Sequence, residues 1–195
     1  MLSAIIIVGY LTPGYSHIRQ HVSELAMSGT YTGILMNWLG IISFGVSIML
    51  FTIGGILSYK GHKLALLSMI TLFMAGACMV IVGLYPCDET CWMEEMSRQA
   101  TLHTKGAGGT FIFVWISQII MGLKTFGRHR SGFTVFCLIM AVLGFCINKA
   151  GANVTFGVEY KGLVQRIYFS YVWIWLIVSG IVAKRQLKTI FGNTG

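Results

Sequence analysis

Long apolar runs alternate with short polar joints along the chain. Five runs, residues 33–57, 64–85, 105–123, 132–148 and 162–183, come close to or exceed the about 20 apolar residues that carry a helix across a bilayer. No Pro/Gly/Ser-rich linker or shift in composition divides them. The pattern therefore predicts one all-α domain over residues 1–195, an integral membrane helical bundle of about six transmembrane helices. The first is shortened: residues 1–11 are apolar but only about half the length of a span. That segment lacks the basic start and small-residue cleavage site of a signal peptide. It reads as a short helix packed on its neighbours, or as the end of a span that begins upstream of Met1.

One polar stretch, residues 13–25, interrupts this apolar background early and holds two of the five histidines. Pro13 suits a helix start, and Tyr15, Ile18, Val22 and Leu25 recur at helical spacing. The expectation is a short helix lying in the membrane interface with that stripe inward. Arg19 and Ser23 then share one flank, and His17, His21 and Glu24 the other.

Composition agrees with the membrane reading. The chain is 55% hydrophobic and 10% charged, against roughly 25% charged in soluble domains. Its net charge of +8 is informative through its placement. Segments 58–63, 124–131 and 184–195 carry Lys60, Lys63, Lys124, Arg128, Arg130, Lys184, Arg185 and Lys188, and no acid. The loops 13–32, 86–104 and 149–161, with adjoining span ends, hold all six acids against Arg19, Arg98, Lys105, Lys149, Lys161 and Arg166. The positive-inside rule makes the first set, and the C-terminus, cytoplasmic and the second extracytoplasmic, in an inner or plasma membrane. Basic clusters beside spans are topology signals and lipid contacts, so nucleic acid is not an expected partner. An Asn153-Val154-Thr155 sequon falls on the outer side.

Candidate chemistry gathers at the outer loops. His17 and His21, four apart, with Glu24 make a metal half-site if the stretch is helical; the alternative is a wetted polar face. Arg19, assisted by Ser23, suits an anion or a lipid phosphate. Cys87 and Cys91 lie on the oxidising face, where a disulfide is the first reading; thiolate metal ligands and a redox pair are the alternatives. Asp88 follows directly. His103 stands at a span end, where an ionisable side chain facing the bundle is a functional candidate. Arg166, one turn into the last span, needs a partner at that depth, with Glu24, Asp88 and Glu159 as candidates. Glycines and Asn37 in the spans read as packing residues, and Cys78, Cys137 and Cys146 as small hydrophobes. With no histidine or acid in the middle of a span, the chain is a poor match to bis-histidine haem ligation or to a midplane-carboxylate transporter. The sequence names no cofactor.

Taken together, Pro13-Gly14-Tyr15, Arg19-Gln20-His21-Val22-Ser23-Glu24-Leu25, Pro86-Cys87-Asp88 with Cys91, Leu102-His103 and Gln165-Arg166 form a combined motif. In it the chain resembles a family of six-span bacterial and archaeal membrane proteins catalogued as domain of unknown function number 998. The resemblance covers most of the chain and implies a fold without an activity. Its members usually begin with a full first span. Its pattern does not call for histidine at positions 17 and 21, which weakens the metal reading. It favours Arg19, Ser23, Glu24, Asp88, His103 and Arg166 as the shared set.

Three functions fit these residues. The first is an outward-facing polar pocket that binds a lipid headgroup or small anionic ligand through Arg19, Glu24 and Arg166. The second is an intramembrane hydrolase or transferase acting on lipid, with His103 as base, Asp88 as its orienter or a metal ligand, and Ser23 as nucleophile. The third is an accessory subunit of a membrane-protein complex.

Overall fold

The computed structural model describes residues 1–59, 62–125, 131–152 and 159–191. Lys60, Arg128, Arg130 and the Asn153 sequon lie outside them. The described residues are helical, with no strand among them: α1 (Leu2–Leu11), α2 (Val22–Leu25), α3 (Tyr31–Leu35), a π-helical segment (Met36–Ile42) that runs on into α4 (Ser43–Ser58), α5 (Lys63–Leu84), a 3-10 turn (Glu89–Trp92), α6 (Arg98–Thr125), α7 (Ser131–Ala152) and α8 (Lys161–Phe191). Five stretches are long and apolar enough to cross a membrane: Tyr31–Leu57, Lys63–Leu84, Arg98–Lys124, Gly132–Ala150 and Lys161–Arg185. With the short apolar α1 beside them, this is the all-α, multi-pass membrane bundle that the apolar pattern predicts. Exposed aliphatic side chains such as Leu39, Leu50, Val142 and Ile177 cover its flanks, where lipid replaces water.

One helix boundary differs in a way that matters. The apolar run of the third long helix starts near Lys105, but α6 begins at Arg98. Ser97 sets this start: its Oγ accepts the Ala100 N–H at 3.0 Å and caps the first turn. The extra turns carry His103 into the helix proper.

α5 and α6 pack antiparallel along a seam with a seven-residue repeat. His103, Thr110 and Ser117 stand seven apart on α6 and face Val82, Ala75 and Ser68, seven apart on α5. Each polar side chain bonds backbone across the seam. His103 Nδ1 lies 3.2 Å from the Val82 carbonyl. Thr110 Oγ1 is 3.4 Å from that of Ala75. Ser117 Oγ donates to that of Ser68 at 2.9 Å, and Ser68 Oγ reaches the Ser117 carbonyl at 2.8 Å. In a membrane, small and hydroxylated residues let helices approach and supply the hydrogen bonds that hold them. Gly106 belongs to the same seam, since a Cβ there would sit 3.1 Å from the Cys78 carbonyl. Across α4 and α5, Gly45 and Gly76 meet backbone to backbone.

That last contact is testable. A Cβ on Gly45 would lie 2.7 Å from the Gly76 carbonyl oxygen, an atom that cannot rotate away. Gly45→Val should lower unfolding stability in detergent by about 1–3 kcal/mol, the range for overpacking. Gly108→Ala, where a Cβ meets nothing within 4 Å, should stay within about 0.5 kcal/mol of the parent.

Candidate functional site

The polar stretch after α1 is not the interfacial helix expected from its spacing. Residues 12–15 form a β-turn, with Tyr15 N–H donating to the Thr12 carbonyl at 3.2 Å and Gly14 at φ 74°. Pro then Gly at the two central positions is the type II signature, because the third residue needs positive φ. The turn breaks the helical register. Ile18 is consequently exposed, and helix resumes only at Val22. There Glu24 accepts the His21 N–H at 2.9 Å, the reciprocal half of a capping box.

The head of α8 holds this irregular segment in place. Gly162 lies so close that a Cβ there would collide with the Gln20 carbonyl oxygen. Leu163 N–H donates to the Ile18 carbonyl at 3.0 Å, and Gln165 Oε1 accepts the Val22 N–H at 2.6 Å. The Arg166 guanidinium spreads over four acceptors: the Gln20 carbonyl at 3.3 Å, the Gly162 carbonyl at 2.8 Å, Tyr15 Oη at 2.6 Å and His17 Nδ1 at 3.0 Å. Tyr15 Oη in turn donates to the His21 carbonyl at 2.9 Å. The two terminal nitrogens of Arg166 are thus met by backbone, a phenol and an imidazole instead of by Glu24, Asp88 or Glu159, while its Nε is buried without a partner.

Glu24 pairs with Lys161 at 2.9 Å and accepts from Gln20 at 3.1 Å. Partial burial works against its charge, but the bonds from Lys161, His21 and Gln20 hold its carboxyl below the usual range. Among the described residues no three of His, Cys, Asp and Glu come together as a metal site. The His17/His21/Glu24 set fails because the helix that would align it is absent. His17 faces the Arg166 cation, and Glu24 is taken up by Lys161. Burial first, and Arg166 second, keep His17 below the ordinary imidazole value; burial and Lys161 do the same for His21. Arg19 is exposed, and no hydrogen bond or ion pair of its guanidinium occurs among the described residues.

The loop between α5 and α6 is knotted on Asp88. Its carboxylate accepts from Ser97 Oγ at 2.5 Å, Thr90 Oγ1 at 2.6 Å and Thr90 N–H at 2.9 Å, and these bonds hold it below the usual carboxylate range. Cys87 and Cys91 are joined as a disulfide within the loop. Ser28 N–H donates to the Cys87 carbonyl at 3.0 Å and ties the two outer segments together. Asp88 therefore organises a loop and does not orient His103. The carbonyls of Val82 and Tyr85, at 3.2 and 3.0 Å from Nδ1, have that role. Since carbonyls only accept, Nδ1 carries the proton and Nε2 is the bare acceptor.

Beneath these knots lie two adjoining cavities. The inner one, about 30 Å³, is lined by Ser23, His103, Thr110, Gln165 and Tyr168 among apolar neighbours. The outer one, about 210 Å³, is bounded by His21, Phe111, Asn148, Lys161, Gln165 and Tyr168. They share Phe111, Gln165 and Tyr168. Tyr168 Oη is buried with no hydrogen-bond partner.

The turn at Pro13-Gly14, the knot at Asp88 and the grip of Gln165-Arg166 give structural roles to the motif residues, and a family model of a protein of unknown function, DUF998, matches residues 1–182. The chain belongs to the DUF998 family. No curated protein and no solved structure matches it. In this DUF998 chain, then, the expected set divides. Ser23 and His103 share a cavity; Glu24 and Arg166 hold the segment above it; Asp88 and Arg19 lie apart from it. Sequence reasoning missed Tyr15, Gln165 and Tyr168 as site residues and counted Lys161 only as a charge. The polar pair Gln165-Arg166 at the head of an apolar span was the available signal for Gln165.

The grip should weaken in acid. His17 and His21 have folded values below 6.5, so the stability tied to their neutral forms is present above pH 6.5 and lost as pH falls through those lower values. Glu24, also depressed, adds a loss as pH falls from its ordinary 4.5 through its folded value. Hydrogen exchange over residues 14–24, corrected for intrinsic rates, should lose protection between pH 7 and pH 5, values chosen to straddle the imidazole range. Arg166→Ala should remove about tenfold or more of that protection at neutral pH, since it strands buried acceptors worth about 1–3 kcal/mol. Arg166→Lys should not restore it, because one ammonium cannot span four acceptors.

Proposed function

We propose that this membrane protein binds the phosphate-bearing headgroup of a lipid, or a small anionic ligand of the same chemistry, in the paired cavities under its extracytoplasmic face. The observation that carries the reading is Tyr168 Oη, a hydroxyl buried without a partner where both cavities meet. An unpaired buried hydroxyl is destabilising by about 1–3 kcal/mol. A ligand that supplies its missing bond recovers that energy. Lys161 at the outer cavity is the cation for the anion, in place of the expected Arg19 and Arg166. Gln165, His21 and Asn148 offer further polar contacts, and Phe111, Ile147 and Val164 an apolar wall. The charge asymmetry supports an inner or plasma membrane with this end outside.

Glycerol phosphate, added to detergent-solubilised protein, should raise the unfolding temperature in a saturable way. Tyr168→Phe should make the unliganded protein more stable by about 1 kcal/mol and weaken binding, opposite signs that a structural hydroxyl would not produce. Lys161→Gln should weaken binding about tenfold, or about 1.4 kcal/mol. An unaltered unfolding temperature, or full binding by both variants, rules the site out.

A second reading rests on Ser23 and His103 lining one cavity with room for about one water. In it His103 Nε2 is the general base, Ser23 the nucleophile, and the α5 carbonyls the orienter, for acyl transfer on lipid. A fluorophosphonate probe should then label Ser23, lose labelling in His103→Ala, and keep it in Asp88→Asn. Absence of labelling on Ser23 would leave binding as the function.

A further inference from the structure

The far end of the bundle carries a feature that the outer site does not use. α4 and α8 meet through aromatic rings near their outer halves, Phe44 against Phe169 with centroids 6.2 Å apart and against Trp173 at 5.3 Å. Beyond that contact the helices part. The gap is an apolar groove of about 290 Å³ lined by Phe44, Phe51, Trp173, Leu176 and Ile177, among others. A second space of about 370 Å³, whose lining includes Ser179 and Lys184, adjoins it across Phe51 and Gly180, where the Phe51 ring lies 3.3 Å from the place of a Gly180 Cβ. Glycines keep it open: Gly180 brings no side chain, and at Gly54 a Cβ would meet nothing within 4 Å.

Polarity changes along this groove in one direction. The upper space has two polar groups, Ser47 and the indole N–H of Trp173, which is buried without a partner, among otherwise apolar walls. The lower one has Ser179, only 5% exposed, whose Oγ lacks a hydrogen-bond partner. Lys184 stands at its mouth, and Lys124 lies 4.1 Å above the ring of Tyr59, another lining residue. The sequence segments 58–63, 124–131 and 184–195 hold eight basic residues and no acid. An occupant with an anionic head at Lys184, an ester or phosphate oxygen for Ser179 and a long apolar tail along Phe51, Leu176 and Ile177 matches the charge, the hydroxyl and the apolar walls. A transmembrane helix of a partner would place apolar side chains against Lys184 and leave Ser179 unsatisfied.

We propose that the groove between α4 and α8 is a binding site for one anionic phospholipid of the leaflet on the basic side. Its head sits at Lys184 and an acyl chain runs past Phe51 to Trp173. This site is independent of the outer pocket and stands or falls without it.

A variant retaining Trp173 as its sole tryptophan, reconstituted in vesicles, reports the tail directly through quenching by brominated acyl chains. Brominated phosphatidylglycerol should quench at a lower mole fraction than brominated phosphatidylcholine, with a preference of about fivefold for one lysine-phosphate contact at the membrane surface. Lys184→Gln should erase that preference. Gly54→Leu, filling open space without touching the charge, should erase it too. Lys161→Gln, at the outer pocket, should leave it unchanged. Equal quenching by the two lipids, persistence of the preference in Gly54→Leu, or its loss in Lys161→Gln would each overturn the assignment. So would its abolition by millimolar inorganic phosphate, which would mean that the headgroup binds without the tail.

Discussion

Irregular backbone beside membrane helices has to find its hydrogen bonds in the protein, and residues 12–21 are such backbone. The carbonyls of Thr12 and Ser16 are met inside the segment, that of His21 by Tyr15 and Glu24, and those of Ile18 and Gln20 by one helix head. Gly162 lets α8 come within contact of the segment, Leu163 bonds the Ile18 carbonyl, Arg166 bonds that of Gln20, and Gln165 bonds the following Val22 N–H. An arginine suits this place because its planar fork reaches several acceptors at once and stays charged. Without that satisfaction the segment could not lie against the bundle, since each unmet polar group at membrane depth is destabilising by several kcal/mol. Ser23 would then have no fixed position over the cavity, and Lys161 no reason to face Glu24.

The same economy of carbonyls shapes the other wall. α5 ends at Leu84, and its last carbonyls have no partner within the helix. His103 takes up those of Val82 and Tyr85, which fixes its ring and its tautomer together. The seam below it repeats the device with Thr110 and Ser117. A histidine that would be catalytic by its position is thus first a seam residue, and its free nitrogen is a consequence of that packing. Asp88 likewise spends its oxygens on Thr90 and Ser97, so the pairing of acid and base expected across the two outer loops does not form.

Both ends of the bundle carry a cation beside an unpaired buried hydroxyl: Lys161 near Tyr168, and Lys184 near Ser179. They differ in what lies behind. The cavities at the Lys161 end are lined from α5, α6, α7, α8 and the docked segment, and place Ser23, His103, Thr110, Gln165, His21 and Asn148 among apolar walls. The groove between α4 and α8 is apolar for most of its length. That difference favours a compact polar ligand at one end and a chain-bearing amphiphile at the other.

Sequence alone determined the class and the five spans, because apolar runs of membrane length between charged joints have few other solutions. It also gathered the polar and charged candidates in the loops 13–32 and 86–104 and paired Cys87 with Cys91. Tertiary structure decided which of those residues meet. A helical count aligned His17, His21 and Glu24, but Pro13-Gly14 turned the chain and broke the count. Arg166 sought a carboxylate by charge alone, yet the acceptors within its reach were carbonyls, a phenol and an imidazole. The seven-residue spacing of His103, Thr110 and Ser117 was readable, but only the antiparallel register with α5 shows what each side chain bonds. Local spacing governs which elements form; which polar groups end up partnered depends on the neighbours that packing brings, and the cavity around Ser23, His103 and Tyr168 is what that packing leaves.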